Sequence, residues 1–319
     1  MYALESTTGI AFYPLAPGTT CANLRAMSNI CMVTIAIGEK YLTTWSTYCE
    51  PGWRKYAARC GYDLVCMDAP LDSSERARSR SPAWQKCLLA SNPALSQYDQ
   101  LVLVDADILI NWRTAPPITQ AVDPSKVGAV EVYTAPSSGI YQQTLSRAYE
   151  FWGDAAIHNL EPQDYYTCYG LPGKFKQVVY TGVLVFSPQH HRSIFEKVYY
   201  EYEDKGGPEW NYEMRPLSYE LLAAGVMHWL DPRFVQQWFL DKVYAYPFLL
   251  NPPRRRANLL ARAWRRFRHK ETPQIKLTRI CATCSFINSY FLHLGGDALD
   301  VMRLVDQQAE SWRDCRLQM

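Results

Sequence analysis

The sequence predicts an α/β fold: a mixed, mostly parallel sheet flanked by helices, in a single large domain. Three observations predict it. Apolar runs recur at 30–37, 62–67, 101–110, 127–132 and 178–186, and a run without polar alternation reads as a strand buried on both faces. Segments with helical spacing separate the first of these runs, giving a strand–helix–strand order whose natural outcome is a parallel sheet. The chain has 319 residues, more than enough to bury a sizeable core.

The elements follow in order. Residues 1–28 mix Gly, Pro, Thr and Ser without a period and are expected to form an irregular extension. Residues 30–37 form the first strand, and Gly38 ends it. Tyr41, Trp45, Tyr48 and Cys49 then fall at helical spacing, with Pro51-Gly52 expected to interrupt the helix before Trp53 and Tyr56. A second strand covers 62–67. The polar stretch 72–81 reads as a loop. Trp84, Cys87, Leu88 and Leu89 return to helical spacing, with Lys86 among them. The run Leu101-Val-Leu-Val-Asp-Ala-Asp-Ile-Leu-Ile110 reads as one central strand with two carboxylates near its end. Pro116-Pro117 breaks the chain before a strand at 127–132. Residues 133–177 are aromatic and are expected to be irregular. Residues 178–186 form a strand with Gly182 inside it, a position that often marks close backbone approach to a ligand. Helices are expected from Ser187-Pro188 to Tyr202 and from about Pro216 to Ala224. No internal repeat is visible. The domain is expected to span 29–251, with a basic segment at 252–272 and a closing part at 273–319.

Charge excludes some functions. Residues 252–270 hold eight Arg or Lys and no acid against an overall +2, which leaves −6 for the rest. A mildly acidic body is not a nucleic-acid binder. As a helix, 252–270 would align Leu259, Leu260, Ala263, Trp264 and Phe267. Two readings stand: a helix lying on an anionic membrane surface, or one docking on its own domain. Ten cysteines show no disulfide framework, which suits a reducing, cytoplasmic compartment. The pair Cys281 and Cys284 lacks partners at ligand spacing and reads as structural. No signal peptide is expected, and no stretch approaches the roughly 20 apolar residues that span a bilayer.

The chemistry concentrates at Asp105 and Asp107. Two bare carboxylates at the end of a buried strand are costly. They become reasonable if the strand end opens into a cleft where Mg²⁺ or Mn²⁺ sits, because Asp-x-Asp offers hard oxygen ligands and a diphosphate can complete the octahedron. The expected activity is therefore metal-dependent and directed at a diphosphate compound.

An ordered set of motifs sharpens this. Val33-Thr-Ile-Ala-Ile-Gly-Glu-Lys-Tyr41, Lys86, Val104-Asp-Ala-Asp-Ile-Leu109, Thr181-Gly-Val-Leu-Val-Phe186 and His293-Leu-Gly-Gly296 resemble the retaining glycosyltransferases of family 8, the glycogenin-like group. The resemblance spans roughly residues 30–300. It implies the GT-A fold, a Rossmann-like nucleotide half followed by an acceptor half, and transfer of a sugar from a UDP-sugar to a glycan, protein or lipid-linked acceptor. It implies that Ile35, Ala36 and Gly38 border the uridine, with Tyr41 stacked on the base at a gain of about 1 kcal/mol. Lys86 would reach the donor phosphates. Asp105 and Asp107 would hold Mn²⁺ (or Mg²⁺) with His293 as third ligand, while Ala106, Gly182 and Gly296 would line the donor. Three positions depart from the family. Tyr180 stands where Asn precedes the Thr/Ser-Gly, Glu213-Met214 stands for Asp-Gln near the sugar, and Leu299 replaces a lysine. Arg303, one turn on, is the candidate to replace that cation. Glu213 and Glu220 are the candidates for sugar contact or acid–base work.

Two other readings compete. Haloacid-dehalogenase-type phosphohydrolases also place Asp-x-Asp after an apolar strand, with an aspartate nucleophile and a later acidic pair. Gly296-Asp297-Ala-Leu-Asp300 is similar to that pair, but Leu109 stands where Thr or Val is expected. The third reading is a GT-A-like binding module without catalysis.

Overall fold

The computed structural model describes residues 10–12, 29–134, 137–152, 161–205, 212–250, 272–296 and 299–316. The basic segment 252–270 and most of 1–28 lie outside them. The strands are β1 (Ile10–Phe12), β2 (Ile30–Ile35), β3 (Asp63–Met67), β4 (Gln100–Val104), β5 (Ile108–Ile110), β6 (Val127–Glu131), β7 (Val179–Phe186), β8 (Met227–Trp229), β9 (Gln236–Gln237) and β10 (Phe291–His293).

Seven strands form one sheet in the order β1-β3-β2-β4-β7-β6-β8, and β5, β10 and β9 form a second. In the large sheet β2 pairs parallel with both β3 and β4, and β6 pairs parallel with β8. β7 lies antiparallel between β4 and β6, and β1 lies antiparallel on β3. Five strands thus run one way and two the other, which is the mixed, mostly parallel sheet predicted.

Alternation within β4 shows why its apolar run is unbroken. Leu101 and Leu103 face a layer built from Trp84, Cys87, Leu89 and Phe195. Val102 and Val104 face another that holds Trp45, Trp53 and Tyr56. Both faces are covered by helical segments, so both must be apolar. The second layer also takes in Ile108, Leu109, Phe291 and Leu292 of the small sheet, so the two sheets share one core.

Several expectations are corrected. The run 101–110 is two strands: it turns at Asp105-Ala106-Asp107, where the Ile108 amide donates to Asp105 O at 3.2 Å, and β5 leaves for the second sheet. Pro51 does not break its helix. Helical backbone runs from Glu39 to Cys60 through a π segment, Trp45–Cys49. That wider turn relieves the missing amide and the ring clash with the carbonyl four residues back. Among its described residues, the stretch 133–177 holds two helices, Ser138–Trp152 and Pro162–Thr167. Tyr141 and Leu145, four apart, bury one face of the first. Glu75–Arg78 is a short helix within the expected loop, and Lys86 sits on a 3₁₀ helix, Pro82–Ser91. β1 falls inside the expected irregular extension. Among the described residues, no helix is long and apolar enough to cross a membrane.

Candidate functional site

The order β3-β2-β4 carries the geometry of the site. After β2 the chain passes to one side to make β3, then crosses to the other side to make β4. The loops leaving β2 and β4 therefore diverge at the carboxyl ends of these strands, the place where open α/β sheets form a ligand crevice. Ala36 and Gly38 leave β2 there, and Asp105 leaves β4. Gly38 adopts φ 92°, a left-handed backbone that admits glycine at no steric cost, and it starts the helix bearing Tyr41. Ala36 is buried and Ile35 half-buried, whereas Tyr41 is 45% exposed. Asp107, Tyr212 and Asp105 lie near enough to the Tyr41 hydroxyl to raise its pKa, after burial as the main cause.

Asp105 is fixed through its backbone, whose amide donates to Gly182 O at 2.8 Å, so β7 positions it. Its carboxylate lies 2.7 Å from Lys86 Nζ, and Glu213 Oε1 lies 3.2 Å from the same ammonium. Thr181 Oγ1 donates to that Glu213 oxygen at 3.0 Å. Burial pushes the Asp105 carboxyl up to about 6, against the pull of Lys86. Burial alone would lower the Lys86 ammonium, but Asp105 and Glu213 outweigh it and hold the lysine charged.

Asp107 begins the small sheet, and Leu294 N donates to its carbonyl at 3.0 Å, which brings β10 alongside. His293 Nε2 sits 3.2 Å from Asp107 Oδ1. Burial opposes the charge on both groups, yet each holds the other ionised: Asp107 falls below and His293 rises above its ordinary pKa. Asp107 Oδ1 is nonetheless sealed from solvent with no hydrogen bond. His293 Nδ1 meets the Tyr180 hydroxyl at 2.6 Å.

These groups fit a divalent cation. Ligand atoms of Asp105, Asp107 and His293 lie within 4.8 Å of one another. Asp107 Oδ1 is sealed from solvent without a hydrogen bond, its charge faced by the His293 imidazole at 3.2 Å, and a cation held there would take over that role as the imidazole gives up its proton. Space is kept clear by two glycines. A Cβ at Gly295 would come 2.7 Å from His293 Nε2, and one at Gly182 would come 2.7 Å from Asp105 Oδ2. With His293 neutral, three carboxylates face one ammonium, leaving two negative charges for a dication to neutralise.

The fold therefore brings together Lys86, Asp105, Asp107, Glu213 and His293, with Ala106 buried in the turn between the two aspartates. It does not bring Glu220, whose carboxylate is taken by Lys197 at 2.8 Å, on the neighbouring helix Pro188–Glu201, and by Tyr202 at 2.5 Å, the residue that follows that helix. Nor does it bring Arg303, which is exposed beyond Leu299–Met302 and makes no hydrogen bond or ion pair with the cluster. Gly296, at φ 64°, turns the chain after His293, while 297–298 lie outside the described residues. Cys281 and Cys284 both lie on the helix Pro273–Asn288 and belong to no metal-ligating group among the described residues. Sequence reasoning passed over Tyr180, Thr181, Tyr212 and Gly295 as working members of the site. For Tyr180 the signal was present, as a departure from the family motif.

No protein-family model matches the sequence, and no curated protein matches it. Among solved structures, the chain is similar to a glycosyltransferase involved in the glycosylation of the major capsid of PBCV-1. The identity is 12%, with 87% of this chain and 100% of that one covered, and the TM-score is 0.46. It is also similar to the bifunctional glycosyltransferase WbbM, at 10% identity and TM-score 0.42, with 93% of this chain and 53% of that one covered. A third is the galactosyltransferase LgtC as an active-site mutant, at 14% identity and TM-score 0.40, with 90% and 94% covered.

Proposed function

We propose that the chain is a metal-dependent glycosyltransferase of the GT-A type that takes its sugar from a nucleotide diphosphate donor, UDP-linked by the resemblance in its motifs. The observation that carries this reading is the convergence of Asp105, Asp107 and His293 ligand atoms within 4.8 Å at the crevice where strand order reverses. A crevice of this kind suits a nucleotide, and a site two negative charges in excess once His293 is neutral suits a dication bridging to a diphosphate.

The residues divide the work. Asp105, Asp107 and His293 hold Mn²⁺ or Mg²⁺. A cation held there would supply positive charge to the departing diphosphate. Lys86 offsets the charges of Asp105 and Glu213. Tyr41, half-exposed at the crevice mouth, offers its ring to the base. Glu213, anchored by Lys86 and Thr181, is the carboxylate placed to meet the sugar; Glu220 is already engaged elsewhere. The acceptor is a glycan, a protein or a lipid-linked saccharide, and 252–270 is the segment proposed to meet an anionic membrane surface.

The test is donor hydrolysis or sugar transfer across a panel of nucleotide sugars with Mn²⁺. Asp105→Ala and Asp107→Ala are each expected to cut the rate at least about a hundredfold, the usual cost of removing one preorganised electrostatic group. Retained activity in both would reject the metal role. Metal-dependent hydrolysis of an aryl phosphate would favour the phosphohydrolase reading, and donor binding without turnover the non-catalytic one.

A further inference from the structure

Among the groups around the cluster, the Tyr180 phenol has a use that the proposed reaction does not assign. It comes from β7, next to the carboxyl end of β4, and its side chain is buried. Its hydroxyl lies 2.6 Å from His293 Nδ1, and its ring meets the imidazole edge-on, with centroids 5.8 Å apart and planes at 66°.

We infer that Tyr180 is a positioning residue for the metal, setting both the proton and the plane of the His293 imidazole; this rests on the metal reading above. The argument begins with the imidazole. A neutral histidine coordinates through one nitrogen and carries its proton on the other, and the partner of the distal nitrogen decides which. Nε2 is the nitrogen beside Asp107, so Nε2 must be the bare one when a cation is held. The proton then belongs on Nδ1, and the atom facing Nδ1 is the Tyr180 oxygen. A phenol oxygen accepts this N–H while its own hydrogen turns elsewhere. Asp105 lies on that side. Tyr180 Oη and Asp105 Oδ2 lie 2.9 and 2.7 Å from the point a Gly182 Cβ would occupy. The edge-on ring contact closes one side of the imidazole and limits its rotation away from Asp107.

The inference explains a local sequence constraint. Because Tyr180 lies over Gly182, with its Cε1 2.6 Å from the same Cβ point, the pair Tyr180 and Gly182 works as one unit. The phenol can reach across to His293 only because residue 182 has no side chain.

The test uses Tyr180→Phe in the full chain, which removes one oxygen and keeps the ring. Mn²⁺ affinity is measured by electron paramagnetic resonance and by calorimetry. Loss of such an outer partner typically costs about 10–100-fold in metal affinity, and that loss is expected here. The His293 ring is read independently by ¹⁵N NMR of the Mg²⁺-loaded protein. Wild type is expected to carry its proton on Nδ1, and the variant to show a shifted or exchange-broadened Nδ1–H signal. Equal Mn²⁺ affinity in both proteins with an unchanged ring signal overturns the inference and leaves the metal site standing. A wild type that binds no Mn²⁺ overturns the metal reading itself, and this inference with it. Should the variant fail to fold, the wild-type ring alone decides: a bare Nδ1 in the loaded protein refutes the role of Tyr180.

Discussion

Lys86 shows how much a single side chain carries. On the sequence it passes for an exposed helix lysine, and only its place in an ordered set of motifs marks it. The fold encloses it, 12% exposed, with Asp105 at 2.7 Å and Glu213 at 3.2 Å. Removing it strands two buried carboxylates, and breaking a buried pair costs about 3–5 kcal/mol. Lys86→Met is therefore expected to lose about that much at pH 8 by urea unfolding. The loss should shrink with acid. Asp105 already sits at about 6 with the lysine present, and without it the carboxyl rises further. The folded variant then takes up a proton well above the unfolded carboxyl's pKa of about 3.9 and recovers stability as pH falls between the two. Equal destabilisation at pH 8 and pH 5 would contradict the pairing. A second residue prediction concerns space. Gly182→Ala puts a Cβ 2.6 Å from the Tyr180 ring and 2.7 Å from Asp105 Oδ2, so the expected cost is about 1–3 kcal/mol together with weakened Mn²⁺ binding by calorimetry. Unaltered Mn²⁺ affinity would show that the glycine is not there for the site. Asp105 and Asp107 stood out because carboxylates beside a buried apolar run need a reason, and His293 only through its place in the ordered motifs. Tyr180 was marked only as a departure from the family motif, and its role was not legible, since a tyrosine in an apolar run reads as core until its neighbour across the fold is known.

Elements were legible where one physical signal dominated. Buried strands announced themselves by length and apolarity, as in Val179–Phe186. The signal failed where tertiary pairing decides. β5 continues the same apolar run as β4, and only its pairing with β10, in a different sheet, separates the two. β1 owes its extended form to the open edge of β3, a partner no local pattern reports. A similar tertiary stitch holds the start of the helix Pro188–Glu201. Ser187 N donates to His191 Nδ1 at 3.0 Å, which leaves Nε2 to donate its proton to Ser125 O at 3.2 Å. Burial lowers the pKa of this histidine, and protonating Nδ1 would break the first bond. A folded pKa below the unfolded value of about 6.5 means that its stabilisation is complete above that pH and is lost as pH falls toward the folded value. His191→Gln is expected to be less stable than wild type at pH 7.5, with the difference narrowing toward pH 5 in paired urea melts. A difference that stays constant with pH would remove His191 as the cause.

At the scale of the molecule, the site is the seam between the two sheets. Asp105 ends a strand of the large sheet, Asp107 begins the small one, and His293 reaches the same point from a strand nearly two hundred residues later in the chain. Holding them together costs free energy: two carboxylates and an imidazole share a half-buried corner, and Asp107 Oδ1 makes no hydrogen bond there. A dication that occupies this corner should return that cost as stability, since a ligand bound only by the native state stabilises it by mass action. At a hundredfold excess over Kd the gain is about 2.7 kcal/mol, which for a chain of this size is a rise in melting temperature on the order of 5 °C. Mn²⁺ alone is expected to give part of this shift, and a nucleoside diphosphate added with it the rest, since the diphosphate supplies ligands the protein does not. The shift should vanish in His293→Ala, although that substitution leaves both aspartates in place. Amide exchange gives the spatial counterpart. Because the cation would tie β4 to β10 through side chains, Ile108–Ile110 and Phe291–His293 should gain protection in the loaded protein, while the distant edge strand β8 should not. Uniform protection across the chain, or a melting shift that persists in His293→Ala, would mean that the metal binds elsewhere and that this corner is held together by the protein alone.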